Sequence, residues 1–241
     1  MIFFRILVIF VLCSCGRHAG SAKVRIGVDA SWEELNFGPQ TAYVNGFTDE
    51  LLREIARLEG VEFEKVPVNG GSLFSGLKEK KYDAVLTSLP PYTFNLGKYD
   101  FSQNFLDLGP VFIVPVGAKY KKLAQVEGRV IGVLSGDSTG FVLEGYSNIR
   151  VRGYRSIPDL LNAAVEGDVV GVLLPRILAV NYVADLYAGT LKIASAPLNG
   201  EGLHLIAEKG AQKGVVQKFD RGMKVLKKKK RLKTLLKKWS L

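Results

Sequence analysis

Residues 24–30 read Val-Arg-Ile-Gly-Val-Asp-Ala. The run Val24–Val28 has the β-branched composition of a short strand, and it ends on an acidic residue, Asp29. Further strands are expected at Val61–Val66, Tyr82–Thr87, Val111–Val116, Val130–Leu134, Ile149–Gly153, Val169–Leu174 and Leu203–Glu208. Between them lie stretches of helical character, at Thr48–Leu58, Leu73–Lys80, Ile157–Val165, Arg176–Leu186 and from Lys213 to the C-terminus. Asp49 and Glu50 are expected in the first turn of the Thr48 helix, where acidic side chains meet the positive helix end. Short strands alternating with helices predict an α/β fold, and no internal repeat is visible.

The alternation breaks twice. Pro110 and Pro115 interrupt it around Leu108–Gly117, and Pro197 with nearby glycines interrupts it around Ala196–Gly202. Two such breaks read as two crossings between lobes. The first lobe then runs over 23–112 plus 199–241, and the second, over 113–198, is inserted into it. Lobes joined by two strands form a hinge over a cleft, an arrangement suited to capture of a small ligand.

At 241 residues, 47% apolar and 23% charged, the chain is ordinary globular material. Its net charge of +10 would permit nucleic-acid binding only if the cations clustered with base-reading or stacking groups. Runs such as Lys78–Lys81 and Lys119–Lys122 sit between structured segments and read as solvated surface, so no nucleic-acid partner is expected. Near the C-terminus, Val216, Phe219, Met223 and Leu226 have helical spacing, repeated after an interruption by Leu232, Leu235, Leu236 and Trp239. Lys227–Arg231 fills that gap, read as a charged helix boundary in preference to a patch for anionic lipid.

At the N-terminus, Arg5 precedes the apolar run Ile6–Leu12 and then Cys13-Ser14-Cys15. This pattern predicts a lipoprotein signal peptide over 1–14, lipid attachment at Cys15 and a linker over 15–22. The apolar run is short for a bilayer span, which needs ~20 residues, so membrane attachment is expected rather than a spanning start. A Cys-X-Cys metal site is the other competing reading, weakened because no further Cys follows and only His18 and His204 could assist. With both cysteines in the leader, no disulfide, metal or cofactor is expected in the mature fold.

Several strings carry a family resemblance. They are residues 24–30, Gly46-Phe47-Thr48-Asp49-Glu50-Leu51, Lys81-Tyr82-Asp83-Ala84-Val85, Tyr99-Asp100-Phe101-Ser102, Ile131-Gly132-Val133 with Gly136, and Leu236-Lys237-Lys238-Trp239. In this order and spacing the chain resembles the family 3 periplasmic solute-binding proteins, most of which bind polar amino acids for ABC importers. The resemblance implies a two-lobed α/β fold of the type II periplasmic-binding-protein kind. It also implies a periplasmic monomer that meets a small polar solute and an inner-membrane permease.

It implies site residues too. Asp29 matches the acidic residue near the ligand, and Trp32 a stacking aromatic, a pair suited to a cationic or amphipathic solute. Trp32 also suits plain core packing. Glu33 and Glu34 add charge at the cleft mouth in place of frequent prolines, and Asn69 is counted among the ligand-binding residues. Thr87 and Ser88 stand where relatives meet the ligand carboxylate. In the second lobe, the turn Gly136-Asp137-Ser138-Thr139 offers backbone N–H groups to an anion, although helix capping by Ser138 or Thr139 reads equally well.

Three positions depart from the pattern. Asn95 stands where an Arg usually grips an α-carboxylate, and Pro175, followed by Arg176, stands where an Asp pairs with the α-ammonium. Gly70 replaces a second stacking aromatic. Whether Arg176 enters the cleft instead is open at this point. The leading expectation is therefore a binding lipoprotein with an altered ligand. An envelope-anchored interaction or sensor protein that lost solute capture is the alternative. An enzyme using Glu33 or Asp29 is disfavoured, because no His, Cys or metal constellation supports it.

Overall fold

Val24, Ile26 and Val28 alternate with Arg25 and Gly27, and the alternation sends the two sets to opposite faces of the first strand. The computed structural model describes residues 22–241 apart from 36, 211 and 212. The segments expected as signal peptide (1–14) and linker (15–22), with Cys15, lie outside the described residues, except that Ala22 begins β1 (Ala22–Val28). The apolar set packs under α1 (Thr41–Glu59), whose buried stripe is Val44, Phe47, Leu51, Leu52 and Ile55. Gly27 faces the other way, against Tyr82, and a Cβ there would stand 2.7 Å from the Tyr82 ring. Helix α1 stops at Gly60, which has φ +62° and so supplies the left-handed residue that closes a helix.

The chain continues through β2 (Val61–Pro67), α2 (Leu73–Lys78), β3 (Ala84–Thr87), the single-turn α3 (Thr93–Leu96), β4 (Tyr99–Phe101) and β5 (Leu106–Asp107). After the second lobe it returns as β11 (Gly202–Glu208), α6 (Lys213–Lys228) and α7 (Arg231–Lys238). The first sheet has the order β2-β1-β3-β11-β4, with β5 also paired to β11. Strands β1, β2 and β3 are parallel, and β11 enters antiparallel to β3 with His204 opposite Thr87. Phe47, Phe105 and Phe219 form the aromatic centre of one face, with ring centroids 6.5 and 5.8 Å apart. Tyr82, Leu73, Leu77, Val85 and Ile206 fill the other.

Between Leu108 and Asn199 the chain builds a second sheet from β6 (Pro110–Pro115), β7 (Val130–Leu134), β8 (Arg150–Tyr154), β9 (Gly171–Pro175) and β10 (Leu191–Ile193). Its order is β10-β6-β9-β7-β8, and its helices are α4 (Ile157–Glu166) and α5 (Arg176–Ala184). The continuous apolar runs in β6 and β9 follow from burial on both faces: Val111, Ile113, Val172 and Leu174 meet one core, and Phe112, Val114 and Leu173 the other. The two crossings run side by side. Leu108 N and Gly109 N donate to Glu201 O at 2.9 and 3.2 Å, and Leu198 N donates to Pro110 O at 2.8 Å. The first crossing ends before Pro110, so all of β6 lies in the second sheet rather than from residue 113 onward.

Two local expectations are corrected. Helix α1 begins at Thr41, not Thr48, so Asp49 and Glu50 lie at its middle and not at its positive end. Their charges serve other ends: Asp49 pairs with Lys65, and Glu50 accepts from Lys238 Nζ at 2.6 Å, Trp239 Nε1 at 3.0 Å and Arg231 Nη2 at 3.3 Å. The Lys238 hydrogen bond, foremost among these contacts, holds the Glu50 carboxyl below its usual range. The C-terminal stretch is two helices, because Lys230 adopts φ +58° and breaks the axis between α6 and α7.

Candidate functional site

In open parallel sheets, ligands meet the chain beyond the carboxyl ends of the strands. Asp29 follows β1, Thr87 and Ser88 close β3, Asp137 lies just past β7, and Pro175 ends β9. The fold therefore gathers residues that are far apart in sequence at one set of strand ends.

On the first lobe, Asp29, Trp32, Thr87 and Ser88 line one depression with Leu35, Gly70, Leu73, Phe74 and Leu86. Asp29 Oδ1 accepts from Ser31 N at 3.0 Å and from Ser31 Oγ at 2.6 Å. Its other oxygen, Oδ2, points toward Gly70, where a Cβ would come within 2.7 Å. Gly70 is thus the residue that leaves room for this carboxylate, and a stacking aromatic at 70 would collide with it. Trp32 is 5% exposed, its Nε1 donates to Asn45 Oδ1 at 2.9 Å, and its ring meets Phe37 at 6.2 Å. It offers the depression a wall and an edge, with most of its surface serving the core. Thr87 Oγ1 accepts from Leu89 N at 3.1 Å, holding the turn after β3, while Ser88 is half-buried beside it.

The second depression lies between the lobes and has a volume of about 350 Å³. Leu35, Phe37 and Leu108 line its first-lobe side, Asp137, Ser138, Thr139, Pro175, Ile177 and Leu178 its second-lobe side, and Asn199 and Glu201 the crossing. Leu35 belongs to both depressions and joins them. The capping expectation needs revision here: Asp137, not Ser138 or Thr139, is the N-cap, and its Oδ1 accepts from Thr139 N at 2.6 Å and from the Thr139 hydroxyl. The Thr139 amide is consequently already taken. Together the two depressions present three carboxylates, Asp29, Asp137 and Glu201, and no Lys, Arg or His among the described residues that line them.

The profile of the bacterial extracellular solute-binding proteins, family 3, matches residues 24–241. The chain belongs to this family. Among the relatives of this family 3 protein is the arginine-binding extracellular protein ArtP of Bacillus subtilis, 23% identical over 95% of this chain and 92% of that one. The L-cystine-binding protein TcyA of the same organism is 23% identical over 89% of this chain and 80% of that one. The L-cystine solute receptor of Neisseria gonorrhoeae in its unliganded open conformation superposes with a TM-score of 0.70 at 18% identity, covering 91% of this chain and 93% of that one. The two-lobed type II periplasmic-binding-protein fold is thereby shown.

The remaining residues singled out in this family 3 protein sit elsewhere. Asn95 is buried, and its Nδ2 donates to Pro90 O at 2.9 Å, so it ties down the Pro90–Asn95 turn and lines neither depression. Asn69 is exposed and caps the turn at Gly70–Ser72 by accepting from Gly71 N at 2.9 Å. Glu33 is exposed in a turn of its own and lines neither depression. Arg176 opens α5 and lines a separate groove with Lys233 and Lys237 of α7, so it does not join the other site residues. Sequence reasoning missed Phe74, Phe37, Asn199 and Glu201. The spacing of Phe74 to Gly70 was a usable signal, whereas the other three enter only through the crossing geometry.

Behind Thr87 lies His204, 5% exposed, with Nδ1 donating to Ser102 O at 3.0 Å and Nε2 buried with no partner among the described residues. Burial pushes the imidazole pKa below its usual value, with the Ser102 carbonyl and the Asp220 charge opposing it. Because the folded pKa lies under the unfolded ~6.5, this contribution is complete above that pH and is lost as pH falls through the folded value. The urea midpoint is expected to fall between pH 7.5 and pH 5, and to fall less in His204→Gln; equal slopes in both proteins would show that His204 does not carry the dependence.

Proposed function

We propose that this protein is the substrate-binding component of an ABC importer and that it captures a small polar solute with a cationic end. The observation that carries this reading is the charge of the cleft: among the described residues three carboxylates and no cation line it, in a chain whose net charge is +10. A site that gripped an α-carboxylate would need a cation or a set of free N–H donors there. Asn95 is engaged with Pro90 O, Arg176 lines a different groove, and the Thr139 amide is used internally. The relatives named above are described as binding arginine and L-cystine, which supports an amino acid or a modified relative of one as the solute class.

In this reading the solute docks on Asp29, Trp32, Thr87 and Ser88, and the second lobe closes over it with Asp137 and Ser138. Closure requires contacts present only in the closed form, since a ligand bound equally by both forms shifts nothing. The closed protein then meets a permease in the inner membrane as a periplasmic monomer, held to the bilayer by lipid on Cys15. Among the described residues no helix is long and apolar enough to cross a membrane.

A thermal-shift screen of protein cleared of co-purified ligand tests the proposal, against basic and neutral amino acids, dipeptides, polyamines and small organic acids. A ligand at ~100 times its Kd stabilises by ~2.7 kcal/mol, a rise of several degrees for a chain of this size. The expected hits carry a cationic group. Hits confined to organic acids would overturn the charge argument, and a protein that responds to none would fit the interaction or sensor reading.

A further inference from the structure

The net charge of this protein is confined to one end of the chain. Residues 221–241 contain ten Lys and Arg and no Asp or Glu, so the 220 residues before them, with 23 of each sign, are neutral. The structure divides those ten cations into two groups. Arg221, Arg231 and Lys238 turn inward to Glu59, Glu50 and Glu54 on α1, and Lys227 donates to Gln103. Lys224, Lys228, Lys229, Lys230, Lys233 and Lys237 are exposed.

The exposed group forms a strip. On α6 the buried residues Val215, Val216, Phe219, Met223 and Leu226 mark the inner face, and Lys224 and Lys228 lie on the outer one. Lys229 and Lys230 occupy the break, and Lys233 and Lys237 stand one turn apart on α7. The strip continues onto the second lobe, because Lys233 and Lys237 share a groove with Arg176 of α5. That groove has an apolar floor of Val180, Ala184, Leu236 and Leu241, and one acidic residue, Asp185.

We propose that this strip is a docking surface for an anionic phospholipid bilayer. Six lysines with no carboxylate partner among the described residues, beside a shallow apolar groove, match a layer of negative headgroups over acyl chains. The strip contains no exposed aromatic ring on which a base could stack, which separates it from a single-stranded nucleic-acid site. The family is extracellular, and a bilayer bounds that compartment. Of the cations in the strip, none lines either depression of the solute cleft, so docking leaves the cleft open. The inference does not rest on solute capture.

The test is flotation of the full chain with phosphatidylglycerol–phosphatidylcholine vesicles and with vesicles of phosphatidylcholine alone, at low and high salt. The apolar N-terminal run contributes to both vesicle types, so the excess on anionic vesicles reports the strip. That excess is expected in the native protein and is expected to fade with salt. At about fivefold per lysine, the variant Lys228→Glu/Lys229→Glu/Lys233→Glu should lose roughly a hundredfold or more. The charge-matched variant Lys119→Glu/Lys121→Glu/Lys122→Glu, on the second lobe, should lose far less. Unchanged thermal midpoints in both variants accompany the expected result. Equal loss in the two variants would reduce the effect to net charge and overturn the proposal. So would the absence of any anionic excess, or tighter binding to single-stranded RNA than to anionic vesicles.

Discussion

Replacing Tyr82 with alanine is expected to lower the thermal midpoint by roughly 10 °C and to weaken solute binding with it. Tyr82 is 2% exposed, and its side chain fills the space left by two glycines: a Cβ on Gly27 would meet the ring at 2.7 Å and one on Gly76 the hydroxyl at 2.3 Å. Its hydroxyl donates to Leu73 O at 2.5 Å, at the start of α2. Neither glycine can fill the void that alanine would leave, so the cost falls in the ~3–5 kcal/mol range of large aromatic truncations. At about 2–4 °C per kcal/mol for a chain of this size, that gives the stated shift. Leu73 and Phe74 line the first-lobe depression, so loosening α2 reaches the site. Tyr82→Phe keeps the ring and should cost only about 1 kcal/mol, the value of one hydrogen bond. Calorimetry of both variants decides the matter, and a Tyr82→Ala shift below about 3 °C, the range of ~1 kcal/mol, would mean that the cavity collapses.

Asp29→Asn is expected to leave the fold intact and to remove most of the affinity for a cationic solute. Asparagine keeps an oxygen to accept from Ser31, so the turn after β1 survives, and the thermal midpoint should move little. The amide nitrogen that takes the place of Oδ2 repels the group the carboxylate attracted. Losing one partner of a desolvated charge pair costs ~2–5 kcal/mol, a rise in Kd of about thirtyfold or more. Titration calorimetry with a hit from the thermal-shift screen measures it directly. A change under about threefold, less than 1 kcal/mol, would place Asp29 outside the contact set.

Much of the fold was legible because it is written in short-range patterns. Alternation in Val24–Val28 and the unbroken apolar runs of β6 and β9 each reflect the faces a strand must bury. The strands that went unread, β4, β5 and β10, are two or three residues long and carry no period to detect. The early start of α1 was hidden by Gly46, which reads as punctuation. Its reason is tertiary: a Cβ at 46 would stand 2.2 Å from the Trp239 ring, contributed from the far end of the chain.

The alternating α/β order and the acidic and hydroxyl residues at the ends of β1 and β3 can be read from sequence alone, as can each short string that carries the family. These depend on neighbours within a few positions, where side-chain period and turn chemistry act. Tertiary structure decided which of the candidates could meet. It brought β11 back to pair with β3, joining His204 to Thr87, and so set the two crossings side by side. It tied Asn95 to Pro90, turned Arg176 toward α7, and covered most of Trp32 with the core. Each of those outcomes depends on which surface arrives from elsewhere in the chain. A side chain's partner is chosen by packing across the fold, and no local pattern encodes it.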